Sequence, residues 1–247
     1  MDSEYLKKYY NLERAHWWFR VREKIFRQQL TQSLPGDKEL KILNVGAATG
    51  RTTEMLADFG AVTSVEFDHD TCEFLRAKLN MEVTEASVTA LPFADQRFDV
   101  ICAFDVLEHV QSDEQAIKEL SRVCKSNGLI YLSCPAYSFL WSDHDRINHH
   151  YRRYTSRSLE KLVQREFQLQ YMTYFNSILF LPIAGYRLIQ RIFPRKEVIQ
   201  SDFADHGLLS KKWLNWVFET TFNTEVLLLR SIKFPFGISI LVRAVKE

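Results

Sequence analysis

The sequence predicts an α/β domain with a doubly wound, mostly parallel seven-stranded sheet and added helices at the N-terminus and before the last strand. Compact apolar runs alternate with helical segments, the pattern of βαβ units. The runs are continuous rather than alternating, as strands buried on both faces require. The 247 residues, 46% of them hydrophobic, suffice for one large core. The expected organisation is therefore a single domain: a helical cap over 1–36, a core over 37–175, a helical insertion over 176–232 and a final strand over 233–247.

The elements follow in order. Glu4–Thr31 carries apolar residues at helical spacing among charges, and Leu34-Pro35-Gly36-Asp37 breaks the helix. Lys41–Gly46 is an apolar strand running into a glycine-containing turn. Arg51–Phe59 is a short helix closed by Gly60. Ala61–Phe67 is a strand, Asp70–Leu79 a helix and Glu82–Val88 a strand. Phe98–Phe104 is the next strand. Ser112–Cys124 is a helix with Ser112 as N-cap and Glu114 in its first turn, ended by Asn127-Gly128. Leu129–Cys134 is a strand stopped by Pro135. Irregular chain reaches Tyr154. Ser158–Phe167 is then helical, Gln168–Phe175 alternates like a strand, Ser177–Phe193 and Lys211–Leu229 are added helices, and Gly237–Val245 is the last strand.

A formal net charge of +1, from 32 basic and 31 acidic residues, gives no sign of a nucleic-acid partner. Basic residues cluster only locally, at Arg152-Arg153 and Arg191–Lys196. Cys72, Cys102, Cys124 and Cys134 form no C-x-x-C pair, and a reduced, cytoplasmic protein is expected. Met1–Asn11 lacks the apolar core of a signal peptide. Ile178–Gly185 is too short for a membrane span, which needs about 20 apolar residues.

In open α/β sheets, ligands bind beyond the carboxyl ends of the strands. After the first strand come Gly46, Ala47, Ala48 and Gly50, where glycines admit a ligand to the backbone. Glu66, followed by Phe67, ends the second strand, where a carboxylate can accept both hydroxyls of a ribose. Ser87 and Val88 end the third, placed to meet an adenine edge and face. Phe104 and Asp105 end the fourth. Two adenosine cofactors suit this frame. Dinucleotide enzymes carry G-x-G-x-x-G, whereas this chain has G-x-x-x-G and lacks the glycine that lets a pyrophosphate approach. S-adenosylmethionine (SAM) has no phosphate and does not need it.

Leu91-Pro92-Phe93, Asp95, Phe98-Asp99-Val100-Ile101 and Asp105-Val106-Leu107-Glu108-His109-Val110 resemble motifs of class I, Rossmann-like SAM-dependent methyltransferases. Asn44–Gly50 resembles their glycine-rich motif, and Ser64–Asp68 their acidic one. The resemblance spans Lys41–Ala136. It implies SAM as cofactor, with Gly46, Ala47 and Gly50 lining its methionine and ribose, Glu66 on the ribose diol, and Ser87-Val88 beside adenine. Two positions depart: Ala48 stands where a glycine is usual, and Ser87 where aspartate is frequent. Asp105 is expected to contact the SAM amino group or to cap a turn, and His109 to cap or pack below the cofactor.

The acceptor is expected to be a small or lipid-linked molecule, held between two segments. One is Glu13–Arg20, with His16 and Trp17 as contacts. The other is Trp141–Tyr154, with Trp141, Arg152 and Arg153 as contacts. Both segments, and Phe234–Ser239, resemble a bacterial branch associated with glycan or lipid biosynthesis. Trp17, Trp18 and Phe19 suit plain helix packing equally well. His149 or His150 is the expected proton acceptor, oriented by Asp145, with Tyr154 positioning a hydroxyl. His144, Asp145, His149 and His150 match no standard metal-ligand spacing, so no metal is expected. The segment 177–196, apolar then basic, suits core packing, a peripheral membrane contact, an acceptor cover or a homodimer contact. Two other functions compete: an NAD-binding oxidoreductase, and a non-catalytic SAM-binding module.

Overall fold

A computed structural model describes residues 3–36, 39–192 and 212–247. Its strands are β1 (Leu40–Val45), β2 (Gly60–Glu66), β3 (Thr84–Glu85), β4 (Phe98–Phe104), β5 (Cys124–Pro135), β6 (Gln168–Phe175) and β7 (Ser239–Val245). Its helices are α1 (Ser3–Ala15), α2 (Trp17–Ser33), α3 (Arg51–Leu56), α4 (His69–Leu79), α5 (Asp113–Val123), α6 (Asp143–Ile147), α7 (Ser156–Val163), α8 (Phe180–Ile192) and α9 (Lys212–Leu228). The seven strands form one sheet in the order β3-β2-β1-β4-β5-β7-β6. All pairs are parallel except those of β7, which runs antiparallel to β5 and β6. The chain leaves β1 outward through β2 and β3, then restarts on β1's other side with β4. The crevice between β1 and β4 is thus the switch point where such sheets bind ligands.

Side chains alternate across the strands. Leu43, Val45, Ile101, Ala103, Ile130 and Leu132 face α5 and α7, meeting Ile117, Leu120 and Leu159. Ile42, Val100, Cys102, Tyr131 and Leu241 face the other way and meet Ile25, Phe26 and Leu30 of α2 and Phe222 of α9. The Phe26 ring stacks on Phe104 at 3.9 Å between centroids. All four cysteines are free and buried.

Three elements differ from expectation. The N-terminal helix is two helices, because His16 is extended (φ −82°, ψ 134°) and its Nδ1 caps α2 by accepting from the Trp18 N–H at 3.3 Å. The third strand shrinks to Thr84–Glu85. Its continuation is diverted into a turn in which Ser87 Oγ accepts from the Thr89 N–H, the local competition typical of serine. The fifth strand starts early, at Cys124, and passes Asn127 in a left-handed conformation (φ +61°). Residues 193–196 of the basic cluster lie outside the described residues.

Candidate active site

The first wall of the site is the turn after β1. Gly46 (φ +78°) and Gly50 (φ +86°) adopt left-handed conformations, and a Cβ on Gly46 would lie 2.8 Å from Val106 Cγ2. Ala48 also has positive φ, and its N–H donates to Glu66 Oε2 at 3.0 Å. The other carboxylate oxygen of Glu66 accepts from the N–H groups of Phe67 (2.8 Å) and Asp68 (3.1 Å). Three backbone donors thus fix this carboxylate at the end of β2. Beside it the Phe67 ring is 75% exposed, a large apolar face left open to solvent. Ser87 bonds Thr89, and Val88 is buried below it.

The second wall is the end of β4. Asp105 has φ +56°; Oδ1 accepts from Ser133 Oγ at 2.7 Å, and Oδ2 pairs with Arg22 of α2. Phe104 lies under Phe26. The cap reaches the first wall too: the Thr49 hydroxyl donates to the Glu13 carboxylate, and Arg51 donates to the Glu13 carbonyl. Burial raises the pKa of Glu13, against the opposing effects of Thr49, Arg22, Arg14 and Arg51. Arg22 was not anticipated from sequence. Among the several charged residues of α2 it resembles any solvated arginine, and only the docking of α2 brings it to Asp105.

The third wall is the loop after β5. Asp145, fully buried, accepts from the Ser142 N–H (2.7 Å), from Arg153 Nε (2.7 Å) and Nη2 (2.9 Å), and faces His150 Nδ1 at 2.9 Å. Burial alone would raise its pKa. The hydrogen bonds from His150 and Arg153 outweigh it and hold the carboxyl below the usual range. His150 stands edge-on to His109, with 4.5 Å between centroids. Burial and the neighbouring His150 push His109 down to about 4. Glu108 is buried, its Oε2 has no hydrogen-bond partner, and burial pushes its pKa well up.

Several expected contacts are corrected here. Of the two expected imidazoles Asp145 faces His150 and not His149: α6 ends at Ile147, and His149 (φ +55°) turns the chain so that the His150 N–H donates to the Asp145 carbonyl at 2.8 Å. Arg153 does not reach outward as an acceptor clamp, because its guanidinium is buried on Asp145 and the Ala136 carbonyl. Arg152 is occupied by Asp113 (2.8 Å) and the Gln111 carbonyl (2.6 Å). Tyr154 is buried, and its hydroxyl donates to Asp113 at 2.8 Å, so it holds the loop against α5. Trp17 is buried between Phe218 and Phe222, and His16 is a buried helix cap. Trp141 is half-buried, outside these hydrogen-bonded groups.

Residues 43–132 match the family model described as a methyltransferase domain. Over 127 residues the chain is 25% identical to a probable S-adenosylmethionine-dependent methyltransferase of Mycobacterium tuberculosis, covering 51% of this chain and 45% of that one. Over 171 residues it is 28% identical to a mitochondrial ubiquinone biosynthesis O-methyltransferase of Dictyostelium discoideum, covering 53% of each. The chain thus spans about half the length of the curated relatives it matches. The solved structure of a SAM-dependent methyltransferase from Thermotoga maritima superposes with a TM-score of 0.58 at 16% identity, covering 99% of this chain and 95% of that one. Residues 43–132, which carry the glycine turn, Glu66 and Asp105, match a methyltransferase domain whose curated relatives include SAM-dependent methyltransferases, and the cofactor this implies is SAM.

The residues present fit that cofactor. An anchored carboxylate suits a ribose diol, the open Phe67 ring suits an adenine face, and the close approach at Gly46 leaves a backbone wall without a side chain.

Proposed function

We propose that this protein transfers the methyl group of SAM to an apolar small-molecule or lipid-linked acceptor. The observation that carries the reading is the Glu66 carboxylate, held by three backbone N–H groups between the glycine turn and the exposed Phe67. Bound SAM supplies an electrophilic methyl on a sulfonium. The chain's part is to place the acceptor in line behind that methyl, which can contribute roughly 7–11 kcal/mol. The methyl–sulfur bond breaks as the acceptor–methyl bond forms, and a protic acceptor must also lose its proton.

Two observations support an apolar acceptor. One is the similarity to a ubiquinone biosynthesis O-methyltransferase. The other is the surface of the added helices. Leu181 and Ile189 of α8 are 74% and 59% exposed, as are Trp213 (64%) and Trp216 (68%) of α9. α8 lies against the loop after β5, where Arg187 donates to the Leu140 carbonyl at 2.6 Å. Phe180, Ile183 and Ala184 pack on that loop, and the apolar side carrying Leu181 and Ile189 is turned outward, where an acceptor with a greasy tail, or the membrane that holds one, would rest. Among the described residues no helix is long and apolar enough to cross a membrane.

Calorimetry with SAM, S-adenosylhomocysteine and NAD tests the cofactor. Binding of the first two but not NAD is expected, and NAD binding alone would overturn the reading. Transfer of labelled methyl is then measured on phenolic and polyprenyl-linked acceptors with and without vesicles. Label appearing only in hydrophilic products would overturn the acceptor class.

A further inference from the structure

We propose that Glu108, His109 and His150 form a binding site for one divalent transition-metal ion at the carboxyl end of β4. One ligand atom from each of the three lies within 4.8 Å of the others, and among the described residues no other such group of three occurs. Two donors on a tetrahedral ion with bonds of about 2.0–2.2 Å sit roughly 3.3–3.6 Å apart. Small side-chain rotations therefore close the site.

The surroundings of each donor select this use. A metal-bound imidazole usually donates its second ring N–H to a carboxylate or a backbone carbonyl, which fixes the tautomer and turns the other lone pair toward the ion. His150 has that partner. His150 Nδ1 faces the Asp145 carboxylate at 2.9 Å, which leaves Nε2 as its acceptor nitrogen. The His109 ring stands edge-on to His150, with 4.5 Å between centroids. Asp145 is in turn locked by Arg153 and Ser142, so the orienter is itself oriented. Glu108 supplies the third donor. Its carboxyl is 1% exposed with Oε2 unpartnered, an arrangement that costs several kcal/mol for a buried charge unless a cation meets it.

The loop is tied to the strand end in the same way. The Tyr151 N–H donates to the Glu108 carbonyl at 2.7 Å, so His150 is held next to Glu108 by backbone as well as by side chain. Two imidazoles and one carboxylate suit zinc, manganese, iron, cobalt or nickel, and are too rich in nitrogen for magnesium or calcium. Three protein ligands leave at least one position open, the pattern of reactive rather than structural sites. His109 reaches the surface, so that position is accessible.

One use follows, and it rests on the methyl-transfer reading above. An acceptor hydroxyl on the open position would release its proton to water. Its oxygen would then form the new bond to the methyl as the methyl–sulfur pair returns to sulfur. In this role His150 Nε2 is a ligand and not a proton acceptor.

The test uses the full chain, stripped by dialysis against a chelator. Cobalt(II) is titrated in and followed by its visible absorption and by calorimetry, with the SAM dissociation constant measured on the same sample. One equivalent should bind with a coordination spectrum. Glu108→Gln, His109→Ala and His150→Ala should each weaken it by at least tenfold, and Asp145→Asn by about 10–100-fold through its imidazole. The double variant His144→Ala/His149→Asn, in which asparagine tolerates the left-handed turn at 149, should bind like wild type. Absence of stoichiometric cobalt binding by the folded protein overturns the site. So does cobalt binding that survives all three ligand substitutions, or that is lost in the double variant. Cobalt binding without SAM binding upholds the site and refutes the methyl-transfer reading, while SAM binding without cobalt does the reverse.

Discussion

Replacing Glu66 with alanine is the sharpest test of the cofactor site. Its carboxylate is already anchored by the Ala48, Phe67 and Asp68 N–H groups at 2.8–3.1 Å, so it is held in place before any ligand arrives. Two ribose hydroxyls donating to an ionised acceptor contribute about 1.5–3 kcal/mol each, or roughly 3–6 kcal/mol together. At about 1.4 kcal/mol per decade, SAM and S-adenosylhomocysteine should bind two to four orders of magnitude more weakly. Glu66→Gln keeps one acceptor oxygen and should fall between. Because the Ala48 N–H loses its partner in a left-handed turn, a stability loss of about 1–3 kcal/mol should accompany the alanine variant. Calorimetry with S-adenosylhomocysteine, beside a thermal melt, separates the two effects. A folded Glu66→Ala protein whose affinity stays within threefold of wild type would remove Glu66 from the site, and the cofactor placement with it.

Asp145→Asn should cost roughly 3–5 kcal/mol in chemical denaturation, because Arg153, with 3% of its side chain exposed, loses the buried carboxylate it is paired with; a loss below about 1 kcal/mol would mean the pair is not buried in solution. Trp17→Ala should destabilise by about 3–5 kcal/mol by emptying the space between Phe218 and Phe222. An altered KM for acceptor with unchanged stability would restore Trp17 as an acceptor contact. Glu13 supplies a pH test. Its folded pKa is raised by burial, so its contribution to stability is fullest below its unfolded pKa and is lost as pH rises through the folded value. Glu13→Gln should therefore gain in melting temperature relative to wild type as pH rises from about 4 toward neutrality. Parallel melting curves for the two proteins would show that Glu13 is not buried against Thr49.

The sheet was legible in the sequence because each strand is an apolar run that ends in a chemically distinct residue. Gly46, Glu66 and Asp105 lie at the ends of β1, β2 and β4, and their positions follow from that alone. The loop after β5 was less legible. Asp145 was legible as the partner of His149 or His150, but the choice between them was not, because it is set by one left-handed residue, His149, which brings His150 to the carboxylate. Arg153 and Tyr154 resembled ligand contacts because arginine and tyrosine carry the same donors inside a protein as at its surface; only their burial, 8% and 4% exposed, assigns them to holding the loop. Glu108 and His109 were visible as part of a motif. Their nearness to His150, 42 and 41 residues away, depends on a backbone bond from Tyr151 that no local pattern encodes.

The cap and the cofactor site form one structure. Glu13 meets Thr49 in the β1 turn, Arg51 meets the Glu13 carbonyl, and Arg22 meets Asp105 at the end of β4. Between them a cavity of about 20 Å³ remains, lined by Glu13, Phe19, Arg22 and Arg51, with room for about one water. α1 and α2 therefore close the crevice by contacting the strand ends that a ligand would use. A ligand bound only when the cap is docked stabilises the docked state in proportion to its occupancy, through RT ln(1 + [L]/Kd). Saturating S-adenosylhomocysteine should then slow amide exchange in 3–33 as well as around Gly46 and Glu66. Protection confined to the glycine turn would mean that the cofactor binds beneath a cap that moves independently.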